Sequence, residues 1–147
     1  MKVYKFGGAS VKDAAGVRNL LDIVSGESEL FIIVSAMGKT TNALESVFTA
    51  MQQGDEAAAL ERIDQSYAYH RGIIDELLGA DRTIEDIDKL FEQLRNIVRN
   101  TIYRASDAEL WYDTIVAYGE LISTTIISNY LNGHGVKNRW VDMRRAF

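Results

Sequence analysis

The first eleven residues, MKVYKFGGASV, constrain the fold more than any other stretch of the chain. Residues 2–6 are rich in β-forming side chains, and the run stops at Gly7-Gly8. A strand that ends in two glycines exposes backbone N–H groups, because no Cβ keeps an anion away from them. Lys5 precedes the turn and Ser10 follows it, so an ammonium and a hydroxyl are available at the same place. The stretch therefore predicts a phosphate-binding turn between a strand and the N-terminus of a helix.

This turn matches neither of the two common nucleotide-binding loops. The chain contains no Gly-x-x-x-x-Gly-Lys-Ser/Thr and no Gly-x-Gly-x-x-Gly. On the residues of the turn alone, a second interpretation stays open. Gly7-Gly8 is then only a tight strand-to-helix turn that needs glycine and carries a lysine nearby.

The next segments predict a strand–helix–strand unit. Asp13 is a suitable N-cap for a helix that reaches Val24, and the apolar run of residues 30–34 is typical of a strand buried on both faces. The two strands should pair in parallel through a right-handed crossover. Because ligands bind at the carboxyl ends of such strands, the small, hydroxyl-rich loop of residues 35–42 should lie beside the glycine turn.

The rest of the chain is predicted to be mainly helical. Apolar residues recur at helical spacing over residues 43–53, 56–78, 83–103 and 107–131. We expect the second and third of these helices to form an insertion that packs against the sheet. Gly119 within the last segment predicts a new helix start or a close approach, with Glu120 beside it. Residues 136–141 predict a third strand.

Composition excludes several classes of function. At 147 residues the chain suits one domain, and its net charge of −5, without a basic stripe, argues against a nucleic-acid partner. It has no cysteine, and His70 and His134 lack partners at ligand spacing, so we expect no metal site built from protein side chains. No signal peptide and no membrane-spanning run is present, which makes a cytoplasmic location the default expectation.

Three segments, in this order, resemble the aspartate kinase family of the amino acid kinase superfamily. Residues 5–11 (KFGGASV) are similar to its opening Lys-Phe-Gly-Gly-Thr/Ser-Ser motif, and residues 34–42 (VSAMGKTTN) to its second motif. Gly119-Glu120 with Ser123 resembles the third motif, a Gly-Glu at a helix start with a serine close behind. The resemblance spans essentially the whole chain.

The resemblance implies a three-layer α/β/α sandwich, present here as an incomplete, N-terminal part with a helical insertion. It also implies transfer of the γ-phosphate of ATP, with Mg²⁺ held through the phosphates, to the β-carboxylate of L-aspartate. The product, 4-phospho-L-aspartate, leads to lysine, threonine, methionine and isoleucine.

The resemblance also implies a role for individual residues. Lys5 should neutralise the transferred phosphoryl group, and the N–H groups of Gly7 and Gly8 should hold its oxygens. These three residues and Ser10 form the predicted catalytic set, and Lys5, Gly7 and Gly8 are also the residues predicted to contact ATP. The predicted substrate-binding residues are Ser35, which lines the same site, Thr41, which binds the aspartate, and Glu120, which pairs with its α-ammonium group.

Two departures from the family pattern affect these expectations. Ala9 stands where the family usually has a hydroxyl residue, which should weaken one contact to the phosphate. The resemblance covers only the first half of the kinase domain, without the ATP-binding half and the regulatory domains. We therefore expect the isolated chain to be inactive as a kinase, and exposed strand edges and apolar faces to favour a homo-oligomer.

Three alternative functions remain at this stage. The first is another amino acid kinase, acting on glutamate, carbamate or a nucleoside monophosphate. The second is a non-catalytic ligand-binding or oligomerisation module that keeps the fold without turnover. The third, a Rossmann-type dehydrogenase domain, is disfavoured because its glycine fingerprint is absent.

Overall fold

A computed structural model describes residues 1–145 of the chain. The fold is α/β, with two parallel strands and six α-helices among these residues. In chain order the elements are β1 (Lys2–Phe6), a 3-10 turn (Gly8–Val11), α1 (Ala14–Val24), β2 (Leu30–Val34), α2 (Thr40–Gln52), α3 (Glu56–Leu78), α4 (Glu85–Asn100), a 3-10 turn (Ala105–Asp107), α5 (Ala108–Val116) and α6 (Tyr118–Gly133).

The two strands pair in parallel, as the strand–helix–strand pattern predicts. The register places Lys5 beside Ile33 and Phe6 beside Val34. Val34 is buried, whereas Phe31 and Ile33 are 37% and 40% exposed. The expectation that β2 is buried on both faces is therefore wrong. The reason is that, within residues 1–145, protein covers only the face that carries Val34 and its alternate neighbours.

Helix boundaries follow capping residues where the sequence offers them. The Asp13 carboxylate accepts a hydrogen bond from the N–H of Gly16 at 2.9 Å, which confirms the predicted N-cap of α1. Helix α2 begins three residues earlier than predicted, at Thr40, so Thr41 lies in its first turn and not in the preceding loop. The predicted helix of residues 107–131 is two helices, because the helical run is interrupted at Ala117.

The helices form the main hydrophobic core. Helix α3 packs chiefly on α2 and α4, and α4 packs on α6. The prediction that the insertion packs against the sheet is therefore wrong: its main partners are other helices. The apolar stripe of α4 explains this choice, because its buried residues meet a helical surface that is equally apolar. Those residues are Ile87, Leu90, Phe91, Leu94 and Val98.

The predicted third strand does not form among the described residues. Residues 136–142 are extended but belong to no ladder. Side chains of α6 hold the segment instead: the Asn138 N–H donates to Asn132 Oδ1 at 2.9 Å, and Trp140 Nε1 donates to Thr124 Oγ1 at 2.8 Å. These contacts keep the segment beside α6, and β2 keeps an unpaired edge.

Candidate functional site

The two loops that follow the strands are joined by backbone hydrogen bonds. The Ser35 N–H donates to the Phe6 carbonyl at 2.9 Å, and the Gly38 N–H donates to the Gly8 carbonyl at 3.0 Å. The parallel pairing of β1 and β2 brings both loops to the same edge of the sheet. This arrangement confirms that the glycine turn and the hydroxyl-rich loop form one region of the surface.

Gly8 is required by this close approach, and Gly7 is not. A Cβ at Gly8 would lie 2.8 Å from the Ala36 carbonyl oxygen, closer than real Cβ contacts, and 3.0 Å from that of Gly38. A Cβ at Gly7 would meet nothing within 4 Å. Among residues 1–145, the N–H groups of Gly7, Gly8 and Ala9 donate no hydrogen bond to the protein. The turn thus presents consecutive free donors, the arrangement that binds phosphate oxygens.

The third motif packs directly on the second. Gly119, at the start of α6, is buried, and a Cβ there would lie 2.8 Å from the Cβ of Ala36. The Ser123 hydroxyl, also buried, donates to the Ser35 carbonyl at 2.9 Å. The predicted helix start with a close approach is therefore present, and it positions α6 against the loop of residues 35–38.

The two charged residues of the predicted site lie on different elements. Lys5 is exposed on β1, and within residues 1–145 its ammonium forms no hydrogen bond or ion pair. Glu120 is exposed in the first turn of α6, where a carboxylate is favoured by the helix dipole. It lines a cleft of about 430 Å³ between α6, β2 and residues 137–144. Strand β2 forms one wall of this cleft, and Ser35 directly follows that strand.

The remaining predicted residues are also exposed around the two loops. Ser10 lies in the 3-10 turn after Gly7-Gly8, and Ser35 follows β2. Thr41 lies in the first turn of α2. The structure brings the loop of residues 35–38 into direct contact with Gly8 on one side and with α6 on the other, whereas Lys5, Thr41 and Glu120 lie on three separate elements.

A buried polar pair behind the loop was not predicted. The Thr40 hydroxyl donates to the Met37 carbonyl at 2.6 Å and lies 3.4 Å from His70 Nε2. His70 is fully buried, and its Nδ1 lies 2.7 Å from the Ser66 carbonyl. Burial lowers the pKa of His70 below its usual 6.5, which favours the neutral ring. The sequence carries no signal for this pair, because Thr40 and His70 are thirty residues apart.

Two further features of the described chain bear on its chemistry. Residues 1–145 contain no group of three or more His, Asp or Glu side chains placed to hold a metal ion. No helix in this part of the chain is long and apolar enough to cross a membrane.

Comparison with known proteins gives the family. The model of the amino acid kinase family matches residues 1–147. The chain is 27% identical over 145 residues to lysine-sensitive aspartokinase 3 of Escherichia coli, which covers 98% of the chain and 31% of that protein. It is 31% identical to the chloroplastic aspartokinase 1 of Arabidopsis thaliana, with coverage of 95% and 25%. The chain thus spans about a quarter to a third of the length of these relatives.

Solved structures support the same conclusion. Crystal structures of E. coli aspartokinase III, one in complex with aspartate and ADP and one with lysine and aspartate, match with TM-scores of 0.81 and 0.82 at 26% identity. Each match covers 99% of this chain and 32% of the solved one. The match confirms the predicted amino acid kinase fold, here as an incomplete portion with a small parallel sheet. The chain belongs to the amino acid kinase family, and its relatives over nearly its whole length are aspartokinases.

Proposed function

We propose that this chain supplies the aspartate-binding and phosphoryl-binding part of an aspartate kinase. The observation that carries the proposal is the contact of three motifs through the Gly8–Gly38 and Ser35–Ser123 hydrogen bonds. The reaction forms a bond between a β-carboxylate oxygen of L-aspartate and the γ-phosphorus of ATP, and breaks the bond from that phosphorus to ADP. The product would enter lysine and threonine biosynthesis.

On the phosphoryl side, the chain would contribute a positive charge and free hydrogen-bond donors. The free N–H groups of Gly7 and Gly8 would bind oxygens of the transferred group, and Lys5, which has no protein partner among residues 1–145, would neutralise its charge. Ser10, in the following turn, adds a hydroxyl donor. Because phosphoryl transfer depends on positioning and charge neutralisation, no protein nucleophile is required.

On the amino-acid side, Glu120 is the natural partner of an α-ammonium group. Its carboxylate is exposed in the cleft beside β2, and Ser123 in the next turn fixes α6 to the Ser35 carbonyl. Thr41, in the first turn of α2, and Ser35, after β2, would supply hydroxyl groups to the substrate. The acceptor carboxylate of the substrate is itself the nucleophile, so the chain needs only to orient it.

ATP would supply the phosphoryl group, and Mg²⁺ would be held through its phosphates. The free N–H groups of the glycine turn fit such a ligand, because anionic oxygens are the acceptors they lack.

The chain spans only part of the length of its relatives, so we propose that the isolated chain forms no aspartyl phosphate. We also propose a cytoplasmic location. The exposed apolar face of the sheet favours a homo-oligomer.

Titration of the chain with L-aspartate, followed by NMR chemical shifts, tests the amino-acid side. We expect saturable binding that Glu120→Gln weakens about tenfold, because the negative charge that pairs with the α-ammonium group is lost. Glu56→Gln is the matched control, since Glu56 is also an exposed glutamate in the first turn of a helix. It should leave the affinity unchanged.

Three outcomes would contradict the proposal. If Glu120→Gln and Glu56→Gln bind aspartate equally well, Glu120 does not contact the substrate. If L-glutamate, carbamate or a nucleoside monophosphate binds in place of aspartate, the chain belongs to another branch of the family. In the complete protein, Lys5→Ala should abolish most phosphoryl transfer, and a physiological role left intact by this change would favour a non-catalytic module.

A further inference from the structure

We propose that the chain carries a second anion site, distinct from the glycine turn, that binds a small phosphate-bearing compound and acts on the loop of residues 35–38. The site is a cavity of about 510 Å³ on the α3 side of that loop. It lies between the start of α1, the start of α2 and the middle of α3. None of the residues proposed above to bind aspartate or the phosphoryl group lines it.

Three unpaired cations surround this cavity. Lys12, Lys39 and Arg62 all line it, and within residues 1–145 none of their charged groups forms an ion pair or a hydrogen bond. The single carboxylate in the lining, that of Asp13, already caps α1 through the Gly16 N–H. Three cations against one engaged carboxylate leave the cavity with an excess positive charge that an anion would neutralise.

The wall of the cavity also carries a hydroxyl group without a partner. Ser66 on α3 is 5% exposed, and its hydroxyl has no hydrogen-bond partner among the described residues. Buried hydroxyls are normally paired, so Ser66 keeps an unused donor beside the cavity, although its oxygen is not itself accessible from the surface. Ser46, Gln65 and Tyr69 supply further polar groups along the same wall.

The dimensions and the charge indicate the class of ligand. The cavity volume lies within the range that holds small organic molecules. Its cations come from three separate parts of the chain, so a compound with more than one charged oxygen group suits them. Phosphate oxygens suit lysine and arginine donors especially well.

The position of the cavity links it to the glycine turn. Gly38 lies in the cavity wall and donates its N–H to the Gly8 carbonyl at 3.0 Å. Tyr69 lines the cavity as well, and its hydroxyl donates to the Lys12 carbonyl. A Cβ at Gly38 would lie 2.6 Å from that hydroxyl oxygen, so the tyrosine packs directly on Gly38. A ligand that orders these residues would therefore also order the turn that holds the phosphoryl group.

Titration of the chain with pyrophosphate at constant ionic strength, followed by backbone NMR, tests this inference. We expect saturable shifts at Gly38, Lys39 and Ser66, with a smaller shift at Gly8. Arg62→Gln should weaken binding about tenfold, as loss of a charge-assisted hydrogen bond predicts. Arg99→Gln, at another exposed helical arginine, is the matched control and should change nothing.

Lys5→Gln separates this site from the proposed phosphoryl site. Pyrophosphate binding that survives Lys5→Gln but weakens in Arg62→Gln supports the second site. Binding lost in Lys5→Gln and kept in Arg62→Gln would place the anion at the glycine turn and overturn the inference. Absence of saturable binding at millimolar concentration, or equally tight binding of citrate, would overturn it as well.

Discussion

The helical core and the sheet differ in how they use apolar residues. In α4, the apolar stripe is buried, with Phe91 and Leu94 fully covered. In β2, an equally apolar sequence leaves Phe31 and Ile33 more than a third exposed. The helices cover one another, whereas the sheet is covered on one face only within residues 1–145.

The residues that stabilise the fold and the residues proposed to carry the function therefore lie in different regions. Burial of apolar surface is the main favourable contribution to folding, so the free energy of unfolding of this chain depends chiefly on the helices. The proposed functional groups are at the carboxyl ends of the strands, where Gly7, Lys5 and Thr41 are exposed. The two regions meet at Gly119 and Ser123, which are buried and also touch the loop after β2. Substitutions can test how sharp this division is.

The largest effect is expected for a phenylalanine in the helical core. Phe91 is fully buried and packs edge-to-face on Tyr67 with ring centroids 5.1 Å apart. Phe91→Ala should lower the free energy of unfolding by about 3–5 kcal/mol, through lost transfer energy and a cavity. Phe31→Ala, the matched change on the exposed face of β2, should cost about 1 kcal/mol or less. Urea unfolding measures both values, and equal losses would refute the division.

The contact between the two regions should be the next most sensitive place. Gly119→Ala would insert a Cβ 2.8 Å from Ala36, and overpacking of this kind costs about 1–3 kcal/mol. Gly72→Ala is the matched control in α3, because a Cβ there meets nothing within 4 Å. That change should stabilise the chain by about 0.4–1 kcal/mol. Thermal unfolding of both variants measures these changes in stability. An unchanged stability in Gly119→Ala would show that α6 does not pack tightly on the loop.

The smallest predicted effect concerns pH. Burial lowers the pKa of His70 in the folded state, although its hydrogen bond to the Ser66 carbonyl opposes the shift. The unfolded chain then binds more protons, so stability is fully present above about pH 6.5 and falls as the pH is lowered below that value. The slope is at most about 1.4 kcal/mol per pH unit for one group.

Urea unfolding at pH 8 and at pH 5.5 would measure this slope, with both values chosen to bracket the usual histidine pKa of about 6.5. We expect His70→Gln to flatten the dependence, and His134→Gln, at an exposed position, to retain it. An unchanged slope in His70→Gln would show that the buried ring is not the group responsible.

The sequence by itself determined the local elements and the proximity of the motifs. Gly7-Gly8 marks the end of β1, Asp13 caps α1, and the periodic apolar residues of α3 and α4 identify them as helices. The parallel pairing of β1 and β2 then follows from the crossover rule, and with it the meeting of the two loops. These features depend on backbone geometry and on neighbours along the chain, which a sequence displays directly.

Only the tertiary structure decided what each surface meets. It placed the helical pair on other helices, left Phe31 and Ile33 exposed, and kept residues 136–142 out of the ladder. It also joined Thr40 to His70 and assembled Lys12, Lys39 and Arg62 around one cavity. The physical reason is that an apolar or charged pattern specifies the need for a partner but not which partner. That choice depends on contacts between residues far apart in the chain.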